Sequence, residues 1–299
     1  MRWRARGRWV PSRPTRGFPP AADPERVLGP AGVSGRELEE CNPVANPTPS
    51  PEPTSVPSSS SWLDRMATMA GVAHQRRVWT SRAASWDHGG ATGLGKVVAA
   101  VLAEAAAGTG TRVVDIGCGT GSLSLPLAEA GAEVLAVDIS PAMIERVEAA
   151  AREKGLANLA GVARPVEELD LPEASVDLVV SNYALHHLRD PDKARLVATA
   201  LRWLRPGGRL VVGDMMLGRG GSARDREIIA SKVKTFAARG PAGWWRIAKN
   251  AVRYLLRVQE RPLSLDAWQD VLGKAGFAEI RAIPVVAEAA VVAGTKPGA

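Results

Sequence analysis

Two carboxylates and a run of glycines stand where this sequence could do chemistry. Asp115 follows Val113-Val114 and precedes Ile116-Gly117-Cys118-Gly119-Thr120-Gly121, and Asp138 closes a second apolar run, Val134-Leu135-Ala136-Val137. A strand, a glycine-rich turn, a helix and a second strand ending in an acid describe a nucleotide-type crevice at the carboxyl end of a parallel sheet. The dinucleotide version of that crevice turns backbone N–H groups and a helix N-terminus toward a pyrophosphate. Here the order is Gly-Cys-Gly-Thr-Gly, one residue short between the last two glycines of that fingerprint, and Asp115 stands two residues before the first. A carboxylate there repels phosphate and favours an ammonium group, directly or through water. Asp138, 17 residues after Gly121, is placed to accept hydrogen bonds from the vicinal hydroxyls of a ribose. These types and spacings describe a ligand with an ammonium, a ribose and no phosphate.

His186-His187 follows a later apolar run at the same edge. Histidine is the side chain whose unperturbed pKa suits proton removal near neutrality. Capping or packing at the start of the next helix is the structural alternative for the pair. Cys118 lies at a helix N-terminus, which lowers a thiol pKa. Inside a glycine loop beside a carboxylate, a small residue that lets the backbone approach its ligand is the better reading. The four histidines (His74, His88, His186, His187) do not show zinc-ligand spacing with cysteine partners, so no metal site is expected.

The elements that must position these groups alternate. The pattern predicts a helix over 94–107, a strand over 112–116, a helix over 121–130 capped by Gly131, and a strand over 133–138. Ser140-Pro141 reads as an N-cap with proline at the first position of helix 141–154, which ends at Gly155. Strands 159–163 and 176–181, helix 190–205 ending at Pro206-Gly207-Gly208, and strand 209–214 follow. Helix 264–275 and strands 277–284 and 286–294, close enough to pair antiparallel, complete the pattern. The fold class is α/β, a doubly wound, seven-stranded, mostly parallel sheet with an antiparallel C-terminal strand.

Composition bounds the rest. A chain of 299 residues with 45% hydrophobic content is an ordinary globular protein of one or two domains. Cys41 and Cys118 support no disulfide framework, so a cytoplasmic setting is the default. No run of ~18 apolar residues is present. Residues 1–61 contain 12 of the 22 prolines and six arginines before residue 17, and are expected to be disordered. A dispensable tail, or a start placed upstream of Met66 or Met69, is the plain reading of that segment; the folded domain is expected over 62–299.

From about residue 86 to 294 the chain resembles the class I S-adenosylmethionine-dependent methyltransferases. The resemblance rests on Val-Val-Asp-Ile-Gly-Cys-Gly-Thr-Gly-Ser (113–122), Ala-Val-Asp-Ile-Ser (136–140), Val-Asp-Leu-Val-Val-Ser-Asn-Tyr-Ala-Leu-His-His-Leu (176–188) and Leu-Arg-Pro-Gly-Gly-Arg-Leu (204–210). It is most similar to the small-molecule branch with the ubiquinone and menaquinone C-methyltransferases, and implies a Rossmann-like methyltransferase fold with S-adenosylmethionine as cofactor. By the resemblance, Asp115 and the backbone of Gly117, Cys118 and Gly119 would hold the methionine part, and Gly121 would let the following helix approach the sheet. Asp138 would bind the ribose, Ile139 would pack on the adenine, and Met143 would line the same pocket or belong to the core. Asn182 would face the methionine end through its carbonyl. Members often carry Gly-Asp-Ala-Glu-Glu-Leu before the fourth strand; this chain has Arg164-Pro165-Val166-Glu167-Glu168-Leu169, which leaves adenine to the backbone near Val166 or to Glu167. His186 and His187 are the candidate bases. Trp86-Asp87-His88 would close over the cofactor or serve helix entry.

The resemblance also implies a substrate-facing helical insertion at 214–262, acting as a lid. That segment holds eleven basic and four acidic residues, an excess equal to the +7 of the whole chain. Within 243–258, Trp244-Trp245 open an amphipathic pattern with Arg246, Lys249, Arg253 and Arg257 on one side. Such a helix suits a lid, a peripheral contact with an anionic membrane, or plain core cover. The expected acceptor is small and lipophilic: quinone-like, lipid or secondary metabolite. Two other classes compete with that reading. An RNA or other macromolecular methyltransferase would use the basic segment, but Ser181-Asn182-Tyr183-Ala184 lacks the Asn/Asp-Pro-Pro-aromatic turn, and no specific nucleic-acid partner is expected. A non-catalytic cofactor-binding module is the other. The expected assembly is a monomer or weak dimer.

Overall fold

The computed structural model describes residues 2–4, 8–10, 76–77, 80, 93–218, 223–238, 240–241, 244–245 and 261–298. Seven strands make one sheet: β1 (Arg112–Ile116), β2 (Glu133–Asp138), β3 (Leu159–Ala163), β4 (Val176–Asn182), β5 (Leu204–Met215), β6 (Ala278–Val286) and β7 (Ala289–Thr295). Their order is β3-β2-β1-β4-β5-β7-β6. Neighbours from β3 to β5 run parallel, while β7 is antiparallel to both β5 and β6. The predicted seven-stranded, mostly parallel sheet is therefore the fold found.

Helices cover both faces of the sheet, so its central strands carry apolar residues on successive positions rather than alternate ones. Val113, Val114 and Ile116 of β1 and Val134, Leu135, Ala136 and Val137 of β2 are all buried. On one face, α1 (Gly93–Ala105) and α2 (Ser124–Glu129) bury Val97, Val101 and Leu127, and α3 (Pro141–Glu153) packs Ile144 and Val147 against Ala136. The other face is covered by α4 (Asp190–Trp203) and α6 (Leu265–Ala275), which bury Leu196, Trp203, Trp268 and Leu272. Ser264 caps α6 by accepting from the Ala267 N–H at 3.2 Å, and Gly276 closes it in the left-handed region.

Two boundaries and one capping atom differ from expectation, each for a local reason. The helix expected from 121 begins at Ser124, because Gly119 (φ 53°) and Gly121 (φ 94°) hold the preceding turn out of helical geometry. Helix 190–205 ends at Trp203, and Pro206-Gly207-Gly208 lies inside β5 at a register shift rather than terminating a helix. Ser140 does cap α3, but through its carbonyl oxygen, which accepts from Met143 and Ile144; its hydroxyl lies 3.2 Å from that of Thr80.

Arg2–Arg4 and Arg8–Val10 pair as short antiparallel strands. The rest of the tail 1–61, Trp86-Asp87-His88 and most of the amphipathic stretch 243–258 lie outside the described residues. The insertion contributes α5 (Ala223–Ala237). Trp244 and Trp245 are helical and 58% and 74% exposed. Among the described residues no helix is long and apolar enough to cross a membrane.

Candidate active site

Strand order places the crevice. From β1 the chain winds outward through β2 to β3, then crosses back to β4 on the other side of β1, so the carboxyl ends of β1 and β4 diverge at a switch point. Gly117 leaves β1 there and Tyr183-Ala184 leaves β4. A Cβ added at Gly117 (φ 71°) would stand 2.3 Å from the Ala184 Cβ, so only glycine lets the two turns pass. Tyr183 itself takes φ 50°, a strained value for a bulky residue, and is held by its N–H donating to the Gly213 carbonyl at 2.9 Å.

The glycine loop is closed by protein acceptors. The N–H groups of Gly117 and Cys118 donate to the Val137 carbonyl at 2.8 and 3.0 Å, and that of Gly119 to Asp138 Oδ2 at 3.0 Å. These three donors are thus taken by protein acceptors and are not presented to a ligand. That arrangement does not suit a phosphate. Asp138 Oδ1 accepts a further N–H, from Ser140 at 2.9 Å. A carboxylate offers about four lone-pair sites. Gly119 and Ser140 each take one, and the Ile139 N–H also bears on the carboxylate, which leaves at least one site for a ribose hydroxyl. Burial pushes the Asp138 carboxyl upward, opposed by the N–H groups of Ser140, Gly119 and Ile139.

Asp115 lies beneath this surface, 1% exposed, and accepts from the Ser124 hydroxyl at 2.5 Å. Burial raises its pKa to about 7, the Ser124 hydroxyl lowers it, and the nearby charge of Asp138 raises it again. The Cys118 thiol is raised well above its usual value by burial and by both carboxylates, so it is not an activated nucleophile. Gly121 works in packing: a Cβ there would stand 2.5 Å from Val147 of α3 and 3.0 Å from Leu125, so the approach it permits includes the second helix. Met143 is 2% exposed and belongs to the core. Ile139 is half-buried just beyond β2. Val166 and Glu167 sit in a short 3-10 turn after β3; Glu167 is exposed by area, yet desolvation by the surrounding protein raises its carboxyl, with Asp192 adding to the shift.

Gly119 contrasts with Gly117. Among the described residues, a Cβ on Gly119 (φ 53°) would meet no atom within 4 Å, which leaves room there for a ligand. Two substitutions separate fold from binding. Gly117→Ala is expected to destabilise the protein by about 2–4 kcal/mol through clash and left-handed strain. Gly119→Ala is expected to cost only about 1–2 kcal/mol of strain while narrowing the crevice, so cofactor affinity falls and the fold remains. Urea unfolding and isothermal titration of each variant check both.

The histidines are brought to the same edge but are not equivalent. His186 is 6% exposed; its N–H donates to Asp214 Oδ2 at 2.8 Å and its Nδ1 lies 2.6 Å from Asp214 Oδ1. A carboxylate oxygen accepts, so Nδ1 is the ring nitrogen that donates in this pair. His187 is half-buried, its ring 4.0 Å from that of His186. Asn182 is half-buried, with a buried Oδ1 that has no hydrogen-bond partner among the described residues, close to Gly213. Asp214 was counted in the sequence only among the charges of the insertion. Its signal was the same as that of Asp138, an acid near the carboxyl end of a parallel strand. Ser124 carried no signal.

S-adenosylmethionine fits these residues: space above Gly119 among the described residues, acceptor capacity on Asp138, N–H groups taken by the protein and a buried carboxylate under the loop. Comparisons with known proteins agree. A family profile described as a methyltransferase domain matches residues 113–208. The chain is similar to the 27-O-demethylrifamycin SV methyltransferase of Amycolatopsis mediterranei, 36% identical over 110 residues, which are 36% of this chain and 40% of that one. It is also similar to the aklanonic acid methyltransferase DauC of Streptomyces sp., 39% identical over 105 residues, 34% of this chain and 47% of that one. The chain thus spans less than half the length of either curated relative. The crystal structure of the YcgJ protein of Bacillus subtilis superposes with a TM-score of 0.50 at 18% identity, covering 68% of this chain and 99% of that one, a likeness of fold alone. Residues 113–208 thus match a methyltransferase domain, and the motifs and sheet around them are similar to those of the class I S-adenosylmethionine-dependent methyltransferases.

Proposed function

We propose that the protein methylates a small, lipophilic acceptor, of the secondary-metabolite or quinone-like kind, with His186 as base. The observation that carries this reading is the buried His186–Asp214 pair at the sheet edge that also holds the glycine loop. The names of the rifamycin and aklanonic acid methyltransferases support a small-molecule acceptor. S-adenosylmethionine supplies an activated sulfonium methyl: the S–CH3 bond breaks as the bond to the acceptor forms, and S-adenosylhomocysteine leaves. Asp138 and the loop orient the donor, and alignment for in-line displacement supplies much of the rate. His186 Nε2 takes the acceptor's proton, while Asp214 fixes the tautomer and stabilises the imidazolium formed. His187, its ring tilted beside that of His186, shapes the acceptor side. The insertion 214–262 faces the acceptor, and exposed Trp244 and Trp245 among its basic residues favour contact with an anionic lipid surface as a second role.

Isothermal titration of S-adenosylmethionine into wild type and Asp138→Ala tests the donor half. Loss of charge-assisted hydrogen bonding to the ribose, and of the bond that holds Gly119, predicts an affinity lower by about 100-fold or more. Unchanged affinity in the variant, or no binding in wild type, removes the assignment. A labelled-methyl screen over lipid extract, quinone precursors and RNA tests the acceptor half; label in RNA alone would replace the small acceptor with a nucleic acid.

A further inference from the structure

One charged group is buried completely without touching the crevice. Lys193, in the first turn of α4, is 0% exposed. Lysine is almost never buried unpaired, because removing an ammonium from water costs several kcal/mol, and a helix N-terminus is the wrong end for a cation. Its Nζ donates to Asp190 Oδ1 at 3.0 Å and to the main-chain carbonyl oxygen of Arg261. Asp190 keeps 37% of its side chain exposed, so that ion pair alone could form at the surface. The Arg261 carbonyl is an acceptor that Nζ reaches inside the fold.

Arg261 donates as well as accepts. Its N–H donates to the His186 carbonyl oxygen at 2.7 Å. Pro262 follows and biases Arg261 toward extended backbone, in which the N–H and carbonyl of one residue face the same side. His186 is thus gripped twice: by Asp214 at its N–H and ring, and by Arg261 at its carbonyl. The same place is the neck of the insertion. Gly218, where the insertion departs, donates its N–H to Asp225 Oδ1 at 2.8 Å, and a Cβ on it would stand 2.7 Å from the Cβ of Ser264, on the returning segment.

We propose that Lys193 is a positioning residue which, through the main chain of Arg261, fixes the histidine turn against Asp214 and ties it to the neck of the insertion. Its effect on turnover rests on the reading of His186 as the base; its effect on the geometry of His186 does not. Lys193→Met keeps the aliphatic stem and removes the ammonium. Arg261→Pro removes the N–H that reaches His186 and the side chain while fixing φ, and Arg261→Ala removes the side chain alone.

In the full chain labelled with 15N-histidine, Lys193→Met and Arg261→Pro are expected to speed solvent exchange of the His186 Nδ1 proton about tenfold or more. S-adenosylmethionine affinity should stay within about twofold of wild type in both, since the crevice is separate. Arg261→Ala should leave exchange unchanged. Wild-type exchange in Lys193→Met and Arg261→Pro overturns the proposal, as does equal loosening in Arg261→Ala. Should Lys193→Met fail to fold, the two Arg261 variants decide by themselves. A wild type with the protected proton but no methyl transfer to any acceptor would remove the base and leave the positioning role standing.

Discussion

Asp115→Asn will stabilise the cofactor-free protein above neutrality and weaken its hold on the cofactor. The carboxyl is 1% exposed and its pKa stands at about 7, against 3.8 for an ordinary Asp, because burial favours the neutral form. A folded pKa above the unfolded one gives a contribution to stability that is complete below about pH 4 and lost as pH rises through about 7. At about pH 8 the buried carboxylate then costs up to about 4 kcal/mol, some three pKa units at 1.36 kcal/mol each. Asparagine keeps an acceptor for the Ser124 hydroxyl and does not titrate. Urea unfolding between about pH 5 and pH 8 should show the wild type losing stability relative to the variant, with a gap of roughly 2–4 kcal/mol at the upper end. The ammonium of the cofactor reverses the balance by favouring the ionised form. Binding near neutrality should therefore release a proton in wild type and not in Asp115→Asn, and affinity should fall about 10–100-fold in the variant. Parallel stability curves with equal proton release would remove Asp115 from the recognition of the cation.

Asp214→Asn is expected to lower turnover by about 100- to 10,000-fold while leaving cofactor affinity within about twofold. Asp214 is 1% exposed and accepts from His186 N–H, His186 Nδ1 and Met215 N–H. An amide has a single acceptor oxygen, so at least one of these buried donors loses its partner, at about 1–3 kcal/mol of stability. The larger effect is on the ring. An amide N–H facing Nδ1 drives the proton to Nε2, the atom that must be bare to act as base. Single-turnover transfer from labelled cofactor, with affinity from titration, separates the two effects. Turnover within about threefold of wild type would mean that no base is used, and that alignment alone carries the reaction.

Much of this architecture was legible because its signals are local. The apolar runs of β1 and β2, the acid at the end of each, and the glycines between them fall within one stretch of chain, and their spacing alone separated an ammonium ligand from a phosphate. What was not legible depends on which strands become neighbours. Asp214 meets His186 across 28 residues only because β4 and β5 pair in parallel. Lys193 meets Arg261 across 68 residues, through an insertion that returns to its point of departure. The direction in which the loop's N–H groups face was also hidden: it follows from positive φ at Gly117 and Gly119, which glycine permits without specifying.

The contact between Gly218 and Ser264 bears on how such a protein can diversify. An excursion that begins and ends at one point is closed at a cost that grows slowly, by about 0.6 kcal/mol for each doubling of its length. Residues 219–260 can therefore be lengthened, shortened or exchanged for another sequence with little consequence for the sheet, provided the knot of Asp225, Ser264, Arg261 and Lys193 is kept. Such exchange leaves Asp115, Asp138 and the glycine loop untouched, so the molecule behaves as a fixed handle for one ligand fitted with a replaceable head.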